Sequence, residues 1–185
     1  MGKVCRSCPF RKDALAGLWQ PAHYIGIAYL MSCEVPAQAG IMLCHKGNEV
    51  LSPNLEKSKR PVCAGWVKSA HTISMMMGMM RGEIDPKIRE EKTPVMSPVE
   101  MLESNGIDSS MLPPIQWSRE YYEKTKKKPD EWADEIDALK KELNEAPLLA
   151  WRFVKKDSPL HKKVDRKTVV ERCGKAFADA YFPQE

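Results

Sequence analysis

Cys5-Arg6-Ser7-Cys8-Pro9, Cys44-His45-Lys46 and Cys63-Ala64-Gly65-Trp66 are the stretches that decide the fold. The C-x-x-C spacing puts two sulfurs on one tight turn, and two distant cysteines complete the donor set that a tetrahedral metal ion takes. Zinc bound by Cys5, Cys8, Cys44 and Cys63 is the first reading. Four thiolates leave the ion no open position, so such a site folds protein and does no chemistry. An iron–sulfur cluster is the alternative, because four cysteines and a Cys8-Pro9 pair suit that ligation too. The plainest reading is four unligated buried thiols, since free cysteine is a common core residue. His45 competes with Cys44, but neighbours on a strand point to opposite faces, so only one of the two reaches a common ion. Cys44 is preferred, which leaves His45 as an outer donor or a surface residue. Cys33 and Cys173 fall at apolar helical positions and read as packing. His23, His71 and His161 lack partners at metal spacing, although His71 follows Cys63 by two helical turns and could approach the site.

The 185 residues, 43% hydrophobic and 29% charged, suffice for a core with an ordinary polar surface. The start, Met1-Gly2-Lys3-Val4-Cys5-Arg6, has no apolar targeting stretch, and the longest apolar run, Ala22 to Cys33, is too short for a membrane span. Arg6 stands where a myristoylation signal requires Ser or Thr. A cytoplasmic setting is expected, in which reduced cysteines stay available to a metal. The net charge of +4 is mild, but its distribution is polarised. Residues 130–145 hold seven acids against two lysines, and residues 152–175 hold nine bases against three acids. In the basic stretch Lys155, Lys156, Lys162, Lys163, Arg166 and Lys167 follow Trp151 and Phe153, the pairing of charge and aromatic faces that single-stranded nucleic acid exploits. Its plainer reading is an amphipathic helix pair with a basic outer face.

Hydrophobic periodicity predicts a mainly α fold with minimal β structure. Pro21 starts a helix with Tyr24, Ile27, Ala28 and Met31 on one face. Residues 40–44 form a short apolar run that reads as a buried strand delivering Cys44. After Pro61, Cys63, Trp66, Val67, Ala70, Ile73, Met77 and Met80 recur at helical spacing, with Cys63 in the first turn, where the helix dipole favours a thiolate. The run Met75 to Met80 reads as core filling. Ser97-Pro98-Val99-Glu100 is a capping box, and Gly106 can end its helix in the left-handed conformation. Residues 108–116, with Pro113-Pro114, read as a linker. Three further helical segments start at Pro129 (Trp132, Ile136, Leu139 and Leu143 inward), Pro147 (Leu148, Trp151 and Val154 inward) and Asp165 (Val169, Cys173, Phe177 and Ala180 inward). The expected organisation is a four-cysteine metal-binding domain over 1–92, a connecting helix and linker over 93–116, and a helical region over 117–185.

The run Cys5-Arg6-Ser7-Cys8-Pro9-Phe10-Arg11, then Trp19, Cys44-His45 and Cys63-Ala64-Gly65-Trp66, resembles the pattern of domain of unknown function 6283, found in bacteria and their phages. The resemblance covers roughly the first 80 to 90 residues and implies that Cys5, Cys8, Cys44 and Cys63 are the family's shared cysteines. It implies no activity. The chain departs from the pattern by a longer loop between Cys44 and Cys63 and by its helical C-terminal region.

No H-E-x-x-H, P-loop, G-x-S-x-G or dinucleotide fingerprint is present, so the expectation leans away from an enzyme. The leading expectation is a non-catalytic, metal-stabilised binding protein, phage-encoded, that acts on nucleic acid or on a host protein. An iron–sulfur redox protein, a metal-dependent hydrolase using His45 or His71, and a protein inhibitor of a host factor are the alternatives.

Overall fold

In the computed structural model the described residues are 3–30, 42, 44, 62–69, 73–114 and 118–182. Eight α-helices lie within them: α1 Pro21–Leu30, α2 Ala64–Ser69, α3 Ile73–Met80, α4 Pro98–Ser104, α5 Arg119–Thr125, α6 Pro129–Glu145, α7 Arg166–Cys173 and α8 Lys175–Tyr181. Short 3₁₀ turns at Pro86–Glu90, Ser109–Met111, Pro147–Phe153 and Pro159–His161 connect them. β structure is minimal. Among the described residues, isolated antiparallel bridges join Arg11 to Val95 and Ile107 to Val154.

Local chemistry sets the helix ends. Ser97 accepts from the Glu100 N–H while the Glu100 carboxylate accepts from the Ser97 N–H, the reciprocal box expected at α4. Asn105 and Gly106 follow, with Gly106 at φ +66°. Asp165 caps α7 through the Thr168 N–H, and Gly174 at φ +95° separates α7 from α8. The α6 stripe of Trp132, Ala133, Ile136, Leu139 and Leu143 is buried as its periodicity predicts. Each large side chain of that stripe contributes about 1.5–3 kcal/mol by leaving water.

One cluster of buried residues runs from Val4, Cys8 and Phe10 through Tyr24 and Ile25 of α1, Trp66 of α2, Met101 of α4 and Trp132 of α6 to Phe153 and Leu160. The segment 108–114 is anchored to this cluster at its end, while Ser110 and Met111 stay exposed. Leu112 is buried, the Tyr29 hydroxyl donates to the Pro113 carbonyl at 3.1 Å, and Trp132 Nε1 donates to the Pro114 carbonyl at 3.0 Å. A second, smaller cluster sets Leu18 against Val169, Cys173, Phe177 and Ala178 of α7 and α8, so Cys173 is core as its spacing predicts.

A buried polar node fixes the N-terminal loop relative to the C-terminal region. Asn105 donates to the Met101 carbonyl at 2.9 Å and accepts from the Gly17 N–H at 3.0 Å. Ser158 donates to the Asn105 carbonyl at 2.6 Å and accepts from the Leu160 N–H at 3.1 Å. All of these polar atoms are satisfied, which makes the node specify one arrangement.

Two expected faces differ. Leu148 is exposed and Trp151 and Val154 are half-buried, whereas Ala150 and Phe153 turn inward. The segment is 3₁₀, and three residues per turn align 150 with 153 as well as 148 with 151 and 154; packing turns the Ala150–Phe153 face to the core. In α3 the methionine run is not uniform core: Met75 is buried, but Met76, Met77 and Met80 are exposed, Met80 at 85%. The phase carried forward from Cys63 does not extend into α3. The expected strand over 40–44 lies outside the described residues except for Met42 and Cys44, as do Cys33, His45 and His71.

Candidate metal centre and basic face

The turn of Cys5 to Cys8 is closed by the Cys8 N–H donating to the Cys5 carbonyl at 3.1 Å, and the Arg11 N–H then donates to the Cys8 carbonyl at 3.2 Å. Pairing with a second segment anchors this knuckle. Met96 N–H donates to the Phe10 carbonyl at 2.6 Å and Lys12 N–H to the Pro94 carbonyl at 3.2 Å. Lys68 of α2 holds the same segment from the other side through the carbonyls of Glu91 and Thr93.

Cys63 immediately precedes α2, and its N–H donates to the Met42 carbonyl at 2.8 Å. Its thiol is held below the usual cysteine range, first by a hydrogen bond from Cys8 and then, against burial, by the N–H groups of Trp66 and Gly65. Those donors are the free amides of the helix start, the placement expected from the sequence. The Cys8 thiol is pushed up, because it bonds to the sulfurs of Cys5 and Cys63 and is buried. Cys8 is thus the shared partner of two other cysteines. Cys44 is two residues from Met42, a span of at most about 7 Å in extended chain, so the backbone pairing at Met42 and Cys63 brings its segment to the edge of this cluster.

Gly65 has a role that spacing alone cannot reveal. A Cβ there would lie far inside the van der Waals contact distance to Cys8 Sγ and 3.1 Å from Phe10 Cδ2. The absent side chain lets the Cys8 sulfur lie directly on the backbone of α2.

Among the described residues, no group of three or more His, Cys, Asp or Glu side chains is disposed to hold a metal ion. The sulfur contacts are pairwise through Cys8. The donor types nevertheless suit a soft ion: Cys8, buried beside the helix start, contacts both Cys5 and Cys63, and Cys44 lies on the adjoining segment. Arg11 is held charged, first by Asp13 and also by the nearby Cys8 and Cys5 thiols.

The six expected nucleic-acid contacts are all exposed, but they divide into two sets. Lys155 is paired with Glu103, and Arg166 with Asp179. Lys156, Lys162, Lys163 and Lys167 meet no carboxylate among the described residues. Beside them the His161 ring lies 5.3 Å from that of Trp151, and His161 Nε2 is within 3.0 Å of the Lys155 carbonyl, so this histidine is a packing element of the basic face. His23 is exposed on α1 next to Trp19. No described helix is long and apolar enough to cross a membrane.

A family model described as "Family of unknown function (DUF6283)" matches residues 1–127. The chain belongs to that family, as the cysteine pattern indicated, and the match extends past the first 80 to 90 residues to include α4 and α5. No curated protein and no solved structure matches the chain.

Proposed function

We propose that this chain is a non-catalytic binding protein, stapled by zinc at Cys5, Cys8, Cys44 and Cys63, that engages nucleic acid through its C-terminal basic face. The observation that carries the reading is the set of exposed lysines, Lys156, Lys162, Lys163 and Lys167, that meet no carboxylate among the described residues, beside the Trp151–His161 ring pair. Charges without internal partners are available to phosphates, and a pair of adjacent rings at the surface offers a π-face to a base. Lys155 and Arg166 take part by exchanging Glu103 and Asp179 for phosphate. Zinc bound by the four cysteines would hold the knuckle against the start of α2 and supply folding free energy in place of chemistry.

The test is binding of a short single-stranded oligonucleotide at several salt concentrations. Each neutralised phosphate contributes about −0.7 to the slope of log affinity against log salt. Reversing Lys156, Lys162, Lys163 and Lys167 to Glu should abolish binding with metal content unchanged. Binding that ignores both salt and these charges would overturn the reading. A second reading, docking on a host protein, draws on the exposed Met76, Met77 and Met80 of α3, an adaptable apolar surface. Loss of host-protein capture on Met77→Lys and Met80→Lys, with oligonucleotide binding absent throughout, would favour it.

A further inference from the structure

A cleft of about 240 Å³ opens where the cysteine knuckle meets α7, lined by Arg6, Arg11, Asp13, Leu15, Glu171 and Arg172. Three arginines around one polar cleft are an unusual concentration for a chain whose net charge is only +4. Their arrangement is ordered from within. Arg11 makes two parallel hydrogen bonds of 2.6 Å to the Asp13 carboxylate, and Arg172 donates to the Asp13 carbonyl at 3.0 Å. Asp13 therefore aims two guanidinium groups through its side chain and its backbone. Arg11 spends its Nε and one Nη2 proton on that carboxylate and keeps the Nη1 protons, and Arg172 keeps its Nε and Nη1 protons. Arg6 is exposed at the rim and pairs with no carboxylate among the described residues, although Glu171 lines the same cleft.

We infer that this cleft is a phosphate-binding site, with Arg6, Arg11 and Arg172 as its donors and Asp13 as the residue that positions two of them. Phosphate matches the planar fork of a guanidinium two oxygens at a time, and three such forks around one pocket suit a phosphate monoester dianion. The lining side chains carry three positive and two negative charges, so the cleft keeps a positive balance with Glu171 opposing. Leu15 closes one side, and nearby in sequence Leu18 is buried against Val169 and Cys173 of α7, which fixes the distance between the knuckle and Arg172. The donors come from opposite ends of the sequence, so the site exists only in the folded chain. Arg172 also lies beyond residues 1–127, so the complete trio is not set by the family match.

The phosphate can be inorganic or the 5′-terminal phosphate of a nucleic acid, and the second source rests on the nucleic-acid reading above. The experiment uses the full chain and two probes: inorganic phosphate, and a five-nucleotide oligothymidylate with and without a 5′-phosphate. In the wild-type protein the 5′-phosphate should tighten oligonucleotide binding about tenfold, the worth of one charge-assisted contact. Arg6→Gln with Arg172→Gln should bring that ratio to about one, and inorganic phosphate should lose its competition in the same variant. Arg6→Lys should recover only part of the effect, since the charge returns without the fork. Both arginines are exposed, and an unchanged circular dichroism spectrum separates lost binding from lost folding. Inorganic phosphate binding that depends on Arg6 and Arg172, without any oligonucleotide binding, would uphold the site and refute the nucleic-acid reading. Oligonucleotide binding that depends on Lys156 and Lys163 but ignores the 5′-phosphate and both arginines would overturn the site and leave that reading standing.

Discussion

Gly65→Ala adds one methyl group at the most crowded point of the knuckle. The new Cβ would overlap Cys8 Sγ and stand 3.1 Å and 3.4 Å from two carbons of Phe10. Neither side can retreat easily. Cys8 and Phe10 are fully buried, the turn is held by the Cys8 N–H bond to Cys5, and α2 is pinned by Trp66, which is also fully buried. Overpacking of a fixed core contact costs about 1–3 kcal/mol, and a clash with a sulfur packed on all sides belongs near the upper end. Alanine in place of glycine in a helix offsets up to about 1 kcal/mol. The balance is a net destabilisation of about 2 kcal/mol, or about 4–8 °C in melting temperature for a chain of this size. The displaced sulfur should also weaken metal retention, because ligand distances tolerate only about 0.2 Å. Thermal melts and a chelator competition measure both effects. Gly26→Ala is the matched control: it lies in α1 with nothing within 4 Å of where its Cβ would stand, so it should raise stability by about 0.5–1 kcal/mol. A Gly65→Ala protein that melts with the wild type and holds metal as tightly, or a Gly26→Ala protein that loses as much, would refute the packing argument.

Replacing Cys5, Cys8, Cys44 or Cys63 singly by Ser should release the metal and remove folding free energy on the order of 10 kcal/mol, whereas Cys173→Ser should keep full metal content by elemental analysis. Full occupancy in Cys44→Ser would move the fourth ligand to His45. Gly106→Ala should destabilise by about 2–4 kcal/mol in a denaturant melt, because the residue is left-handed at φ +66° and a Cβ would meet Ser158 Cβ at 2.6 Å. Glu103 is held down to about 2 from an ordinary value of 4.5, by Lys155 first and then Ser109. Its folded-state value is the lower one, so its contribution is complete above about pH 4.5 and disappears as the pH falls towards 2. Both partners are more than a third exposed, so water screens the pair and the contribution is small. Glu103→Gln should therefore slightly flatten the acid side of a stability profile between those limits, and an unchanged slope would show that the ion pair contributes nothing.

Legibility followed the range of the forces involved. Caps and stripes are local, so Ser97 with Glu100, the Asp165 cap, Gly106 and the inward face of α6 were readable from a few neighbouring residues. The 3₁₀ turn at Pro147–Phe153 defeated the face assignment because a three-residue period aligns Leu148 with Trp151 as well as Ala150 with Phe153, and only tertiary packing selects between them. The role of Gly65, the Asn105–Ser158 node and the Arg6–Arg11–Arg172 cleft depend on which distant segments meet, and no single-sequence pattern encodes that meeting. One signal was present in retrospect: Asp13 follows Arg11 by two residues, a spacing that permits the bidentate bond seen between them. Nothing near Arg172 announced that it would join them.

The division of labour along the chain follows from where the family match ends. Residues 1–127 contain all four candidate cysteines, Gly65 and the knuckle's partner segment at 94–96, so the proposed staple falls within the shared part. The lysines of the basic face and Arg172 lie beyond it. What joins the two is structural: Leu18 buried in the α7–α8 cluster, and Gly17 bonded to Asn105, whose carbonyl takes the Ser158 hydroxyl. Losing the metal would free the knuckle and with it the loop that carries Asp13, Leu15 and Gly17. In the proposed reading, the staple thus governs binding without touching the ligand, by keeping Arg6 and Arg11 in the cleft they line together with Arg172.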